Sequence, residues 1–401
     1  MKGKKGNPSI QLSPFFNGIR NYEIVNPLPL PQIYGIRNFD NYMASCNIDA
    51  YESFLYSYSP DVIHLHTLMG LHKEFVQVAH KMKIRIVFTS HDYFGICPKS
   101  TLYYSDKICD CNLDCINCWE CCANALSIKK IILLQSVLFR NLKNVFFITK
   151  LRRWKKSQLI DKAVKGEFPT VEHCAEYQRL RDYYIEIFKH IDKVHFNSYY
   201  TRNLYHNYFI PKDEEVISIT HKDIGDHKKL KRFSHCIIHF TYVGAIAEYK
   251  GFYTLLKAMD ELQEQGITNF ELHVYSEVAI DKEYVIVHQP YTYSELISVM
   301  EQTDMMIVPL DVSFGFTVLE ALSYGVPVLT TSCVGASDLI RHGVTGLVAE
   351  YSIEGLKKEL KRILENPGLL SEFNKCMIES CFIKSEDKHA LEIVRNIYND
   401  K

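Results

Sequence analysis

The sequence predicts an α/β protein made of two doubly wound domains. Three observations predict it. The 401 residues exceed what one core normally organises, so two domains of roughly 150–220 residues are expected. Short β-branched runs alternate with segments of helical spacing in both halves, the order that builds parallel sheets. A polar, charge-rich stretch poor in large apolar residues, HKDIGDHKKLKRFSH (221–235), separates the two series.

In the first series, DVIHLHTL (61–68) and IRIVFTSHDY (84–93) read as strands, and GLHKEFVQVAHKMK between them has helical spacing. Strand, helix, strand in that order argues for parallel pairing. A long helix around 171–190 precedes a strand at KVHFNS (193–198), and EVISIT (215–220) reads as another. The second series opens with the strand CIIHFTYVG (236–244). There follow the helix GFYTLLKAMDELQEQG (251–266), closed by Gly266, and the strand FELHVYS (270–276). The helix SELISVMEQT (294–303), the strand DMMIVPL (304–310), the helix FTVLEALSYG (316–325) and the strand VPVLTT (326–331) complete it.

Composition narrows the class. Hydrophobic residues make up 47% and charged residues 23%, as in a packed globular chain rather than a disordered one. A net charge of -1 supplies no global field for nucleic acid or membrane, so any such preference is local. The opening MKGKKGNPSIQLSPFF is basic with no apolar run behind it, unlike a secretory signal. No stretch approaches the ~18 apolar residues of a membrane span. A reducing, cytoplasmic location is expected, where clustered cysteines point to metal more often than to disulfides.

Ligands of such sheets bind beyond the carboxyl ends of the strands. After the strand 236–244 come Gly244, which lets backbone approach a ligand closely, and Lys250, whose ammonium can meet a diphosphate. The alternative for Lys250 is a solvated loop lysine. After the strand 304–310 comes DVSFG and then a helix. The first-turn amides at Gly315, Phe316 and Thr317 would form an anion site, joining unpaired N–H groups to the positive end of the helix dipole. Glu320 lies one turn further in, among Leu319, Ala321 and Leu322. A carboxylate in so apolar a stretch needs partners, and two hydroxyls of a ribose would supply them. The alternative is an ordinary exposed helix glutamate.

The run TYVGAIAEYKGF, followed by MMIVPLDVSFGFTVLEALSYGVPVLTTSCVGASDLIRHGVTGLVAE, resembles the donor domain of the retaining glycosyltransferases of family 4, also called glycosyl transferases group 1. PDVIHLHTLMGL and IVFTSHDYFGICPK in the first half are similar to the same family. The resemblance implies the GT-B fold, two Rossmann-like domains facing each other across a cleft. It divides the chain into an acceptor-side domain over 1–222 and a nucleotide-sugar domain over 223–385, with a terminal helix at 386–401 packing back on the first. It further implies that Glu320 holds the ribose, that Lys250 meets the diphosphate, and that the amides of Phe314, Gly315, Phe316 and Thr317 meet phosphate and sugar. His91 is implied to reach the transferred sugar from the opposite domain.

Three departures stand out. The family has a second glutamate eight residues before the one matching Glu320, where this chain has Val312, with Asp311 adjacent. An arginine often follows the glycine matching Gly244, where this chain has Ala245. The family usually opens with a strand and a Gly-rich loop, and PSIQLSPFFNGIRNYEIV offers no such pair, which implies a first domain short of its first strand.

The activity implied is transfer of a hexose-type sugar from a UDP- or GDP-sugar to a saccharide acceptor, free or lipid-linked, with retention, in polysaccharide biosynthesis. The leaving diphosphate oxygen can take the acceptor's proton, so the protein's task is to stabilise charge and position the acceptor. No D-x-D pair occurs, and no catalytic metal is expected. Two rivals are a GT-B subunit that binds without turnover, favoured by Val312, Ala245 and the missing loop, and a sugar-nucleotide epimerase.

Two segments lie apart from this pattern. Seven of thirteen cysteines fall between Cys97 and Cys122. Cys109, Cys115, Cys118 and Cys121 have spacing that suits a structural zinc, the alternatives being a reduced, partly buried loop and an iron–sulfur cluster. Residues 129–156 hold nine Lys/Arg and no acid, with large apolar residues between. This reads either as a helix on an anionic membrane surface or as a core-facing helix with a basic outer face. His64 and His66 alternate along the strand 61–68 and read as core histidines.

Overall fold

A computed structural model of the chain describes residues 6–31, 34–105, 107–110, 115–136, 139, 169–233, 236–276, 278–380 and 383–399. The chain forms two compact units. The first comprises 1–195 and 204–215, the second 196–203 and 216–401. The second unit thus takes eight residues from mid-chain and the C-terminal segment that includes the helix Glu386–Ile393.

The first unit opens with an antiparallel hairpin, β1 (Ser9–Phe16) and β2 (Ile19–Val25). Asn17 and Gly18 both have positive φ, 49° and 77°, as the favoured two-residue hairpin turns require. Tyr22 of β2 meets Phe54 and Tyr58, each with ring centroids 5.1 Å apart, which seats the hairpin on the helix Asp49–Tyr58. β3 (Val62–Leu65), β4 (Arg85–Ser90), β7 (Lys193–Phe196) and β8 (Glu214–Val216) form a four-stranded sheet in the order β3-β4-β7-β8. Between them, β5 (Tyr103–Tyr104) and β6 (Lys107–Ile108) pair as a short ribbon. The helix Lys73–Lys81 is the crossover from β3 to β4. It buries Val76, Val78 and Ala79, and a fully buried valine-sized side chain is worth about 1.5–3 kcal/mol.

The second unit holds one six-stranded sheet: β9 (Ile238–Val243), β10 (Phe270–Tyr275), β11 (Val285–His288), β12 (Met305–Val308), β13 (Val328–Thr331) and β14 (Gly346–Ala349). Its order is β11-β10-β9-β12-β13-β14, with every pairing parallel. Counted from its first strand, that is 3-2-1-4-5-6, the Rossmann order, and it reverses direction between β9 and β12. All four residues of β12 and of β13 are buried, as expected of strands covered on both faces. β10 instead alternates buried and half-buried positions, because its Phe270, Leu272 and Val274 face a core with the helices Phe252–Glu264 and Ile353–Glu365, while Glu271, His273 and Tyr275 face away.

Most of the basic segment, 137–138 and 140–156, lies outside the described residues, as does Cys111. Among the described residues no helix is long and apolar enough to cross a membrane.

Candidate active site

The strand order reverses between β9 and β12, the place where such sheets form a ligand crevice, and two loops meet beyond the carboxyl ends of these strands. The first runs from Gly244 to Gly251 and contains a tight turn at Glu248–Lys250 before the helix Phe252–Glu264. Tyr242 Oη donates to Ala245 O at 2.7 Å, fixing the loop's start. Gly251 turns the chain into the helix at φ 69°. A Cβ there would lie 2.9 Å from Pro309 Cβ, so only glycine lets the Lys250 turn lie against the end of β12.

The second loop carries Asp311 to Gly315. Lys250 Nζ donates to Asp311 Oδ2 at 2.8 Å, and Ser313 Oγ donates to Asp311 Oδ1 at 2.8 Å. The lysine of one loop is thereby tied to the other. Val312 is buried, so Asp311 supplies the carboxylate of this loop. Gly315 then caps the helix Phe316–Ser323 at φ 84°, with no side chain bonded to the helix start. Phe314 is buried, whereas Phe316 is 38% exposed. The helix start therefore offers backbone amides and positive dipole to whatever enters the crevice.

Glu320 lies one turn along this helix. Its side chain is 16% exposed, and its nearest ion-pairing atom is His221 Nε2 at 3.7 Å, beyond hydrogen-bond reach. Burial raises its carboxyl above the usual range. Around it stand His221, Tyr291 and Tyr293. The His221 ring packs edge-on to Tyr293 and Phe316. Burial lowers the His221 imidazole, opposed by Asp223 and Glu386. Tyr293 is pushed up to about 12, by burial first and then by the Glu320 charge. A half-buried carboxylate in an aromatic niche, one helical turn from a row of amides, suits a sugar diol beside a phosphate.

Chain from between the two series braces this loop. Thr201 Oγ1 donates to Ser313 O at 3.1 Å, and Tyr199 N donates to Asp338 Oδ2 at 2.7 Å. Asp338 belongs to the turn Gly335–Leu339, whose Ala336 N donates to Phe314 O at 2.6 Å. Sequence reading missed Tyr199 and Thr201. Nothing in their local pattern signals a partner more than a hundred residues away.

His91 belongs to the first unit and follows β4. Its Nε2 lies 2.9 Å from His66 Nδ1 in a hydrogen bond, with the rings near-parallel. Behind them His64 Nε2 bonds Thr89 Oγ1 at 2.7 Å, and Thr89 Oγ1 bonds His195 Nδ1 at 2.9 Å. Burial, reinforced by His66, His195 and His91, pushes His64 down to about 3. His64 is part-buried and hydrogen-bonded, as read, whereas His66 is exposed, which corrects its reading as a core residue. They form a network, and exposed His66 contacts His91 directly. Their alternation along the strand was the available signal.

The cysteines are placed differently from the expected zinc set. Cys121 Sγ donates to Tyr103 O and Cys115 Sγ to Gln178 Oε1, both at 3.8 Å. Among the described residues no three of Cys109, Cys115, Cys118 and Cys121 bring sulfurs within one ion's reach. Cys115, Cys118 and Cys122 instead pack with Tyr177 in an apolar cluster.

Residues 238–366 match the family model described as Glycosyl transferases group 1. A D-inositol 3-phosphate glycosyltransferase from Pseudarthrobacter chlorophenolicus is 30% identical over 128 residues, 28% of this chain and 30% of that protein. An uncharacterized 41.2 kDa protein in the cps region of Klebsiella pneumoniae is 24% identical over 185 residues, 42% of this chain and 51% of that protein. The chain thus spans about half or less of the curated relatives it matches. Among solved structures, sucrose-phosphate synthase from Thermosynechococcus elongatus aligns with a TM-score of 0.51 at 14% identity, over 87% of this chain and 75% of that one. Anabaena Alr3699/HepE in complex with UDP and glucose aligns with a TM-score of 0.51 at 12% identity, over 88% and 81%. Residues 238–366 thus resemble a glycosyl transferases group 1 domain, set in an α/β chain whose parallel sheets match the fold of solved GT-B glycosyltransferases.

Proposed function

We propose that the protein transfers a hexose-type sugar from a nucleotide-sugar donor to a saccharide acceptor, with retention of configuration, in polysaccharide assembly. The observation that supports this most is the convergence of Lys250, Asp311, the Gly315 helix start and Glu320 at the β9/β12 reversal. The helix amides receive a phosphate, Lys250 leaves Asp311 to neutralise the diphosphate, and Glu320 accepts hydrogen bonds from the ribose hydroxyls. As the glycosidic C–O bond to the diphosphate breaks, the new one forms to the acceptor oxygen on the same face. The acceptor's proton passes to the leaving diphosphate oxygen. His91, its orientation set by His66, contacts the transferred sugar. The UDP bound by Alr3699/HepE favours a UDP-sugar donor, and the cps-region relative favours a polysaccharide product. A lipid-linked acceptor at an anionic membrane surface, met by the basic segment 129–156, completes the proposal.

A second reading is a subunit that binds donor without turnover, favoured by Val312 and Ala245 at the donor loops. Purified protein incubated with a panel of UDP- and GDP-sugars and an acceptor extract separates the readings by mass spectrometry. A mass gain of one hexose on an acceptor supports transfer. Saturable nucleotide-sugar binding without product supports the second reading, and no binding at all refutes both.

A further inference from the structure

A cluster on the second unit's sheet lies outside the crevice. The positions of β9 and β10 that face away from the Phe240–Leu272 core bring His239 together with Glu271 and His273. The His273 Nε2–Glu271 Oε2 distance is 3.3 Å and the His239 Nε2–Glu271 Oε2 distance is 3.8 Å. All three ligand atoms lie within 4.8 Å of one another. We infer that His239, Glu271 and His273 form a binding site for a divalent transition cation of zinc's coordination chemistry, which ties β10 to β9.

The distances suit such an ion. Ligands about 2.0–2.1 Å from a tetrahedral centre stand about 3.4 Å apart along each edge. The Glu271–His273 edge is already that long, and the His239 edge closes to it by a small rotation of an imidazole side chain that is 37% exposed. The far side of each imidazole is also supported. His239 Nδ1 lies 3.7 Å from Asp304 Oδ2, and Asp304 is itself fixed by accepting from His239 N at 2.9 Å. His273 Nδ1 bonds His288 Nε2 of β11 at 2.9 Å. A carboxylate or other acceptor behind each ligating imidazole is the arrangement that sets its tautomer in metal sites. His273 Nδ1 is engaged by His288, which leaves Nε2 toward Glu271, and Asp304 stands behind His239 Nδ1. Two imidazoles and one carboxylate leave the fourth place to water, which the partial exposure of Glu271 and His239 admits. Imidazole with carboxylate favours zinc-like ions over calcium or magnesium. His239 and Glu271 sit near the amino ends of their strands, away from Gly244 and Asp311, so the site stands independently of the proposed transfer activity.

The test is titration of the metal-stripped full-length protein with cobalt(II), followed by displacement with zinc. We expect one equivalent giving visible d–d absorption of a four-coordinate ion without thiolate charge-transfer bands, and a rise in Tm on zinc addition. His239→Ala and, separately, Glu271→Gln are both at half-exposed positions and should abolish the band and the Tm rise. Asp304→Asn should weaken binding by roughly 10- to 100-fold at unchanged stoichiometry. A protein that shows no such band, shows only thiolate bands, or keeps the full band in both first variants overturns the proposal.

Discussion

At the scale of single residues, the crevice depends on charges that the fold holds away from full solvation. Glu320 is raised by burial. A carboxyl whose folded pKa exceeds its unfolded value contributes stability below the unfolded value and loses it as pH rises through the folded one. Free protein at neutral pH therefore bears a cost at Glu320 that ribose hydroxyls would relieve. Glu320→Gln is expected to raise Tm above the carboxyl's range, with no gain well below it, while weakening nucleotide-sugar affinity. Glu320→Ala should cost about 1.5–3 kcal/mol of binding, the worth of hydrogen bonds to a charged group, read by calorimetric titration with UDP. Unchanged affinity would remove Glu320 from the site. Lys250→Ala is expected to lower kcat by roughly 100- to 1,000-fold, as for loss of one donor to developing negative charge. A lysine serving only Asp311 would leave turnover near wild type. Val312 and Asp311 show where residue-level reading stopped. That Asp311 turns toward Lys250 follows from a contact across 61 residues of sequence, which no local pattern encodes.

At the scale of elements, the helix Phe316–Ser323 is aimed by Gly315. The residue has φ 84°, and a Cβ on it would stand 3.0 Å from Val334 Cγ1. Gly315→Val should therefore destabilise the protein by about 1–3 kcal/mol, the usual cost of a non-glycine residue in such a conformation. It should also weaken UDP binding, because the helix start would shift. A variant with wild-type Tm and affinity would show that the helix start does not depend on this turn. The main helices and strands were legible because their apolar spacing is regular. The strand expected over 270–276 is Phe270–Tyr275, and the helix expected over 251–266 is Phe252–Glu264. Two kinds of element escaped. The hairpin β1/β2 carries the Asn17–Gly18 turn signal, but it is antiparallel and stands apart from the parallel sheets. β11 and β14 are the two edge strands of the six-stranded sheet.

At the scale of the whole molecule, histidines dominate the response to acid. Burial lowers His64, His66, His72, His190, His221, His273 and His389. A group depressed on folding contributes stability above its unfolded pKa and loses it as pH falls toward the folded value. The window opens near 6.5 and for His64 extends to about 3. Tm is therefore expected to fall steadily as pH drops from 7.5 to 5, before most carboxylates titrate. A flat profile over that range would show the imidazoles to be solvated. Saturating nucleotide should oppose the loss, adding about 2.7 kcal/mol at a hundredfold excess over Kd.

The sequence by itself determined the α/β class, most strands and helices, and the residue types at the crevice, because periodicity, glycine and charge act over a few positions. Only the tertiary structure decided the strand order that creates the crevice, the grouping of 196–203 with the second unit, the Lys250–Asp311 bond and the His66–His91 pair. It also packed Cys115, Cys118 and Cys122 with Tyr177 in an apolar cluster, and gathered His239, Glu271 and His273 from two strands. Each of these depends on which distant segments pack together, a choice made by the summed burial of whole faces rather than by any one stretch of chain.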